Sequence, residues 1–273
     1  MTLREQIGQL FMIGFTGTTV TKDLASFLTA SKPGGVIFFR RNLESVQQIV
    51  DLTNGLQKLS PAQPLLIAID QEGGRVSRLP AEFTIFPPCG QLGQCNSSEL
   101  AYSAAATIAK ELRAVGINMN MAPVLDVNSN PDNPVIGDRA FGAAPELVGE
   151  MGSATIGGLQ DNMVVACGKH FPGHGDTATD SHKELPVVDA GLQRLRDTEF
   201  PPFQQAIRYG VASLMTAHVL YRALDPEAPA TLSSAVIQRM IDQPRFTPSA
   251  LRASISASAA PEPRASGSTN KSS

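Results

Sequence analysis

Apolar residues along this chain fall into short, nearly continuous runs. Between them lie longer stretches in which apolar positions recur every three or four residues. The runs cover residues 9–15, 35–39, 65–70, 117–126, 164–170 and 213–220. Stretches 44–59, 98–115, 145–160, 191–209 and 233–241 carry the helical period. Continuous apolar strands alternating with helices imply a parallel sheet covered on both faces, the α/β class. Eight such units close a TIM (β/α)8 barrel. Six are legible, so the expected fold is an incomplete TIM-type barrel of about six strand–helix units. Residues 244–273 are rich in Ser, Ala and Pro and show no apolar period. Such a segment buries too little surface to offset the entropy of ordering it. The expected organisation is a partial barrel domain over residues 1–243 and a low-complexity disordered tail over 244–273.

Composition narrows the function. The chain is 42% hydrophobic and 17% charged with a net charge of −3, an ordinary globular balance without a basic footprint for nucleic acid. No apolar run approaches the roughly 20 residues of a membrane span. The N-terminus lacks the basic head and apolar core of a secretory signal. Cys89, Cys95 and Cys167 have no metal-site or disulfide spacing and read as free thiols. The expectation is a cytoplasmic monomer with no membrane or nucleic-acid partner.

Polar groups collect where the apolar runs end. Arg40 and Arg41 follow the second run, Asp70 the third, Asp126 the fourth, Lys169 and His170 the fifth, and His218 lies near the end of the sixth. Carboxyl ends of strands form the functional face of α/β proteins. The densest stretch is Lys169-His170-Phe171-Pro172-Gly173-His174-Gly175-Asp176, followed by Asp180-Ser181-His182. Asp180 stands two residues from His182, where a carboxylate can fix the imidazole tautomer and raise its pKa, the usual preparation of a general acid/base. His170 and His174 have the i,i+4 spacing of a helical zinc pair, but Pro172, Gly173 and Gly175 argue against a helix there. A second segment, Ala68-Ile69-Asp70-Gln71-Glu72-Gly73-Gly74-Arg75-Val76-Ser77-Arg78-Leu79, joins a strand-end acid to two arginines, suited to gripping sugar hydroxyls. The stretches Asn118–Val127, Gly137–Gly142 and Met215–Val219 complete the set, with His218 readable equally as a structural histidine.

In order along the chain, these segments resemble family 3 glycoside hydrolases, most of all the bacterial β-N-acetylglucosaminidases of cell-wall recycling. The resemblance runs from about Gly8 to Ile241, and residues 169–182 are its most specific part. It implies a TIM barrel, no metal or organic cofactor, and a small carbohydrate substrate containing N-acetylglucosamine. It implies sugar-binding roles for Asp70, Arg78, Arg139, Lys169 and His170, and an acid/base role for His182 with Asp180 as its partner. The implied reaction is retaining hydrolysis of a terminal β-linked N-acetylglucosamine. Most retaining enzymes use two carboxylates for this chemistry.

One departure stands out. The family carries its nucleophile on an Asp-bearing motif at the end of the strand that follows the Ala217-His218-Val219 region. After Ile241 the sequence reads Asp242-Gln243-Pro244-Arg245-Phe246-Thr247-Pro248, without a strand or an acid in that pattern. The expectation is therefore a C-terminally truncated or frameshifted member with no nucleophile and crippled activity. The alternative is a non-catalytic sugar-binding or unstable remnant.

Overall fold

A computed structural model describes residues 1–178 and 185–241. Its centre is a parallel sheet of strands β1 (Met12–Gly14), β2 (Gly35–Phe38), β3 (Leu66–Ile69), β4 (Met119–Asn120), β5 (Val165–Phe171) and β6 (Ser213–Thr216). They pair in the order of the chain, β1 through β6. Six parallel strand–helix units form an open part of a barrel, as the six apolar runs imply. Among the described residues β1 and β6 are the two edges. Strands β2, β3 and β5 are buried along most of their length, whereas β1 and β6 are only partly covered.

Helices cover the outside of the sheet. They are α1 (Leu3–Gly8), α2 (Lys22–Ser31), α3 (Val46–Lys58), α4 (Cys89–Cys95), α5 (Ser98–Ala114), α6 (Pro145–Gln160), α7 (Phe200–Tyr209) and α8 (Ser234–Ile241). Helix α5 shows why they form. Ala101, Ala105, Ile108, Ala109 and Leu112 make its buried face at helical spacing. The Ser97 hydroxyl accepts from the Leu100 amide at 3.2 Å, a cap worth about 1 kcal/mol. Glu99 sits in the first turn and Arg113 in the last, each favourable to the helix dipole. Helix α2 is not among the stretches of helical period read from the sequence. The expected helix over 191–209 is broken into Leu192–Arg194, a π-helical turn Leu195–Glu199, and α7.

The fourth apolar run, residues 117–126, contributes just two residues of regular strand. The Asn118 side chain bridges to β3, accepting from the Ile67 amide at 2.7 Å and donating to the Leu65 carbonyl at 2.9 Å. Asn120 does the same with Gln71. Beyond Met121 the chain leaves β3 and follows β5, where the Pro123 carbonyl accepts from the Lys169 amide. Proline has no amide to continue a ladder. A short second sheet pairs Val187–Val188 with Leu220–Tyr221 in parallel. Among the described residues no helix is long and apolar enough to cross a membrane, and all three cysteines are free.

Candidate active site

The polar residues at the strand ends meet across the middle of the sheet. Lys169, near the end of β5, is fully buried and donates to Asp70 at 2.8 Å and to Glu72 at 2.5 Å. Glu72 also receives Arg139 in a fork, Nε to Oε2 at 2.9 Å and Nη2 to Oε1 at 2.8 Å. Burial works against the Glu72 charge, but Lys169 and Arg139 outweigh it and hold its pKa at about 2. Burial likewise opposes charge on Lys169, and the Glu72 and Asp70 carboxylates overcome that and raise its pKa above the ordinary lysine value. Lysine has three donors, and two are placed on these carboxylates.

The neighbouring His170 belongs to a second network. Its Nδ1 lies 2.7 Å from Asp126 Oδ2, and its amide donates to Asp126 Oδ1 at 3.1 Å. The His174 amide donates to the same oxygen at 2.7 Å. Asp126 is wholly buried. Burial pushes its pKa up, and the His170 and His174 contacts more than reverse this, leaving it below the usual aspartate value. Consecutive strand residues normally point to opposite faces. Here the register between β5 and β6 shifts between Lys169 and Phe171, a bulge of the kind that re-aims side chains beside active sites. Lys169 and His170 can therefore both take partners from the strand-end loops.

Three loops frame the site and are tied to one another. Gln71 accepts from the amides of Arg78 and Leu79 and donates to Ser77, fixing the turn that carries Arg78. Arg75 reaches Asp138 at 3.0 Å and the Val135 and Ile136 carbonyls, joining that turn to the loop bearing Arg139. Buried Asn133 donates to the His174 and Gly175 carbonyls and to Thr177. Gly175 lies so close to the backbone of Val127 that a Cβ would run into the Val127 carbonyl. His174 is buried with Nδ1 2.8 Å from the Thr177 hydroxyl, and burial lowers its pKa.

Of the sugar-binding candidates, Lys169 thus joins Asp70 directly and Arg139 through Glu72, and His170 is the next residue of β5. Arg78 is half-buried at the rim, and its guanidinium has no ion-pair partner among the described residues. Arg139 spends Nε, Nη1 and Nη2 on protein groups. His218 is exposed and bonded to Thr231. Asp180 and His182, the expected acid/base pair, lie outside the described residues, as does the expected tail. His170 and His174 are ring neighbours at 5.7 Å, and no group of three metal-ligating side chains occurs among the described residues. Glu72, Asp126 and Asn133 do work that the sequence reading did not assign. Glu72 stood inside a quoted motif and Asp126 at a strand end, so both were visible as candidates. Asn133 gave no signal beyond its place in a polar loop.

Residues 2–244 match the family described as the glycosyl hydrolase family 3 N-terminal domain. The chain is 40% identical over 236 residues to a β-hexosaminidase of Nitrosomonas eutropha, covering 84% of this chain and 67% of that protein. It is 41% identical over 229 residues to one of Thioalkalivibrio sulfidiphilus, covering 82% and 65%. Among solved structures, it is similar to a family 3 β-N-acetylglucosaminidase from Paenibacillus sp. str. FPU-7, with a TM-score of 0.86 and 48% identity over 88% of this chain and 47% of that one. It also resembles NagZ from Neisseria gonorrhoeae in complex with N-trifluoroacetyl-D-glucosamine, with a TM-score of 0.79 and 35% identity over 84% and 69%. The chain therefore spans about two thirds of the curated relatives' length and about half of the Paenibacillus enzyme.

Proposed function

From a chain that belongs to glycosyl hydrolase family 3, we propose a site for a terminal β-linked N-acetylglucosamine, as in a retaining β-N-acetylhexosaminidase that acts on cell-wall-derived glycans in the cytoplasm. The observation that carries this reading is the sharing of buried Lys169 between Asp70 and Glu72 at the strand ends. That arrangement fixes acceptor and donor atoms in one place, and a rigid array of both is what vicinal hydroxyls require. Asp70 accepts from sugar hydroxyls, and the third Lys169 donor and the Arg78 guanidinium supply the complementary bonds. His170, held by Asp126, presents Nε2. Arg139 shapes the subsite by fixing Glu72. His182 protonates the leaving oxygen and later takes a proton from water, with Asp180 orienting it.

A retaining enzyme also needs a nucleophile on the opposite face of the sugar. The carboxylates nearest the strand ends, Asp70, Glu72 and Asp126, are each already bound to a cation or an imidazole. This favours a second reading for the 273-residue chain by itself, as a sugar binder that turns over little. The test has two arms. Calorimetry with N-acetylglucosamine should show binding that Lys169→Ala and Asp70→Ala abolish. Release of nitrophenol from an aryl N-acetylglucosaminide should be several orders of magnitude slower than with the full-length Nitrosomonas relative. Equal rates would place the nucleophile within these residues. Absence of sugar binding would remove the site.

A further inference from the structure

The turn that follows His170 rests on a carboxyl group with no part in the chemistry above. Glu199 closes the π-helical turn Leu195–Glu199, and its side chain is completely buried. Neither of its oxygens makes a hydrogen bond among the described residues. Arg194 Nη2 lies 3.6 Å from Oε1 and 3.9 Å from Asp176, so one guanidinium stands between two acids. Gly173 packs directly on Glu199. A Cβ there would stand 2.8 Å from both Cβ and Cγ of Glu199, and Gly173 has a φ of +138°, which a side chain would resist. From the other side Tyr221 donates to the Gly173 carbonyl at 2.5 Å. The Gly173 amide closes the turn by donating to the His170 carbonyl at 2.8 Å.

A buried carboxyl without a hydrogen bond is costly when charged and much less so when neutral. Among the described residues, the groups that face it are Arg194 from its own segment, Asp176 and Gly173 from the loop, and Tyr221 from the short second sheet. Asp126 also bears on Tyr221. An ionised Glu199 competes with Asp176 for Arg194, and Asp176 is the loop's own tie to this guanidinium.

We propose that Glu199 is a proton-linked positioning residue: neutral, it seats the His170–Gly173 turn against the sheet; ionised, it draws Arg194 from Asp176 and loosens that turn, weakening the hold of His170 on the sugar. Burial lifts the carboxyl, Arg194 opposing only in part, to about 7. The neutral form prevails below that pH and the charged form above it. Only the sugar readout rests on the function proposed above; the loop readout does not.

The test is hydrogen exchange of peptides within residues 170–178, corrected for intrinsic rates, at about pH 6 and pH 8, paired with the affinity for N-acetylglucosamine across that range. In the unaltered chain, protection of the turn and sugar affinity should both fall several-fold as pH rises. Glu199→Gln should hold the low-pH values throughout, and Glu199→Asp should restore the titration. Identical pH dependence in the unaltered chain and Glu199→Gln overturns the proposal. So does equal loss of protection in Glu199→Gln at every pH, which marks a purely structural role. Switching protection with no sugar binding at any pH sinks the sugar site and leaves the Glu199 role standing. If the glutamine variant does not fold, carboxyl-carbon NMR of the unaltered chain decides: titration near 7 supports the role, and titration at an ordinary glutamate value ends it.

Discussion

Glu72 and Glu199 are both buried glutamates beside the segment that runs from Lys169 to Gly173, and they are held in opposite states. Glu72 meets Lys169 and the fork of Arg139, and its pKa falls to about 2. Glu199 has one guanidinium at 3.6 Å and no hydrogen bond among the described residues, and it rises to about 7. Burial pushes both upward. What separates them is whether cations arrive with hydrogen-bond geometry. The first pocket is a charged clamp whose parts depend on one another; the second is a buried seat, without a hydrogen bond for the acid among the described residues, that tolerates it while it stays neutral.

The largest effect should come from dismantling the clamp. Glu72→Ala leaves Lys169 and Arg139 buried without their shared partner, which costs about 3–5 kcal/mol. Urea unfolding measures it, and a loss below about 1 kcal/mol would mean that the clamp does not hold the fold. The pH dependence has a definite sign. A depressed carboxylate contributes stability that is present above its unfolded value near 4.5 and lost as pH falls toward about 2. Acid unfolding of the parent should steepen in that window and flatten in the variant.

Asp126 ranks next. Asp126→Asn removes the charge opposite His170 and, with its oxygen kept on the two amides that share Oδ1, turns an NH2 group toward His170 Nδ1 in place of an acceptor. A loss of about 2 kcal/mol is expected, with sugar affinity falling further than in a surface control. An unchanged affinity would separate the His170 ring from binding.

Glu199→Gln should act in the opposite direction. Its folded pKa is raised, so ionisation in the unfolded chain draws stability away as pH climbs from about 4.5 to about 7. The variant should melt higher than the parent at pH 8, by a few degrees, and equally at pH 4. A gain at both pH values would point to packing instead of charge. The smallest effect belongs to the exposed Arg222–Asp189 pair at 3.3 Å. Asp189→Asn should leave the melting temperature within scatter, because solvent screens such pairs.

Much of this was legible in the sequence. The apolar runs located the six strands of the main sheet; β2, β3 and β5, buried along most of their length, have the least freedom in composition. They also placed Asp70, Lys169 and His170 at strand ends. The boundaries of the fourth strand were lost because Asn118 and Asn120 make side-chain bridges that no apolar period records. The partnership of Glu72 with Arg139 spans 67 residues, and that of Asp126 with His170 spans 44. Local patterns carry no information on such pairings. Glu199 looked like any polar residue on an amphipathic helix. Its burial follows from the close approach of Gly173, a contact made by a different unit of the fold.

Strand order equal to chain order has a consequence for how the molecule comes into being. Every pairing of the main sheet, from Met12 with Gly35 to Ala68 with Met119 and Cys167 with Ser213, joins neighbouring units. The sheet can therefore grow one strand at a time as the chain emerges during synthesis, without waiting for a distant segment. The bond from Lys169 to Asp70 cannot, since 99 residues separate them. Until β5 has been made, Asp70 and Glu72 sit at the end of a nascent sheet as two acids without their lysine. The ribosome thus delivers the first four strands before the Lys169 ammonium that links Asp70 to Glu72.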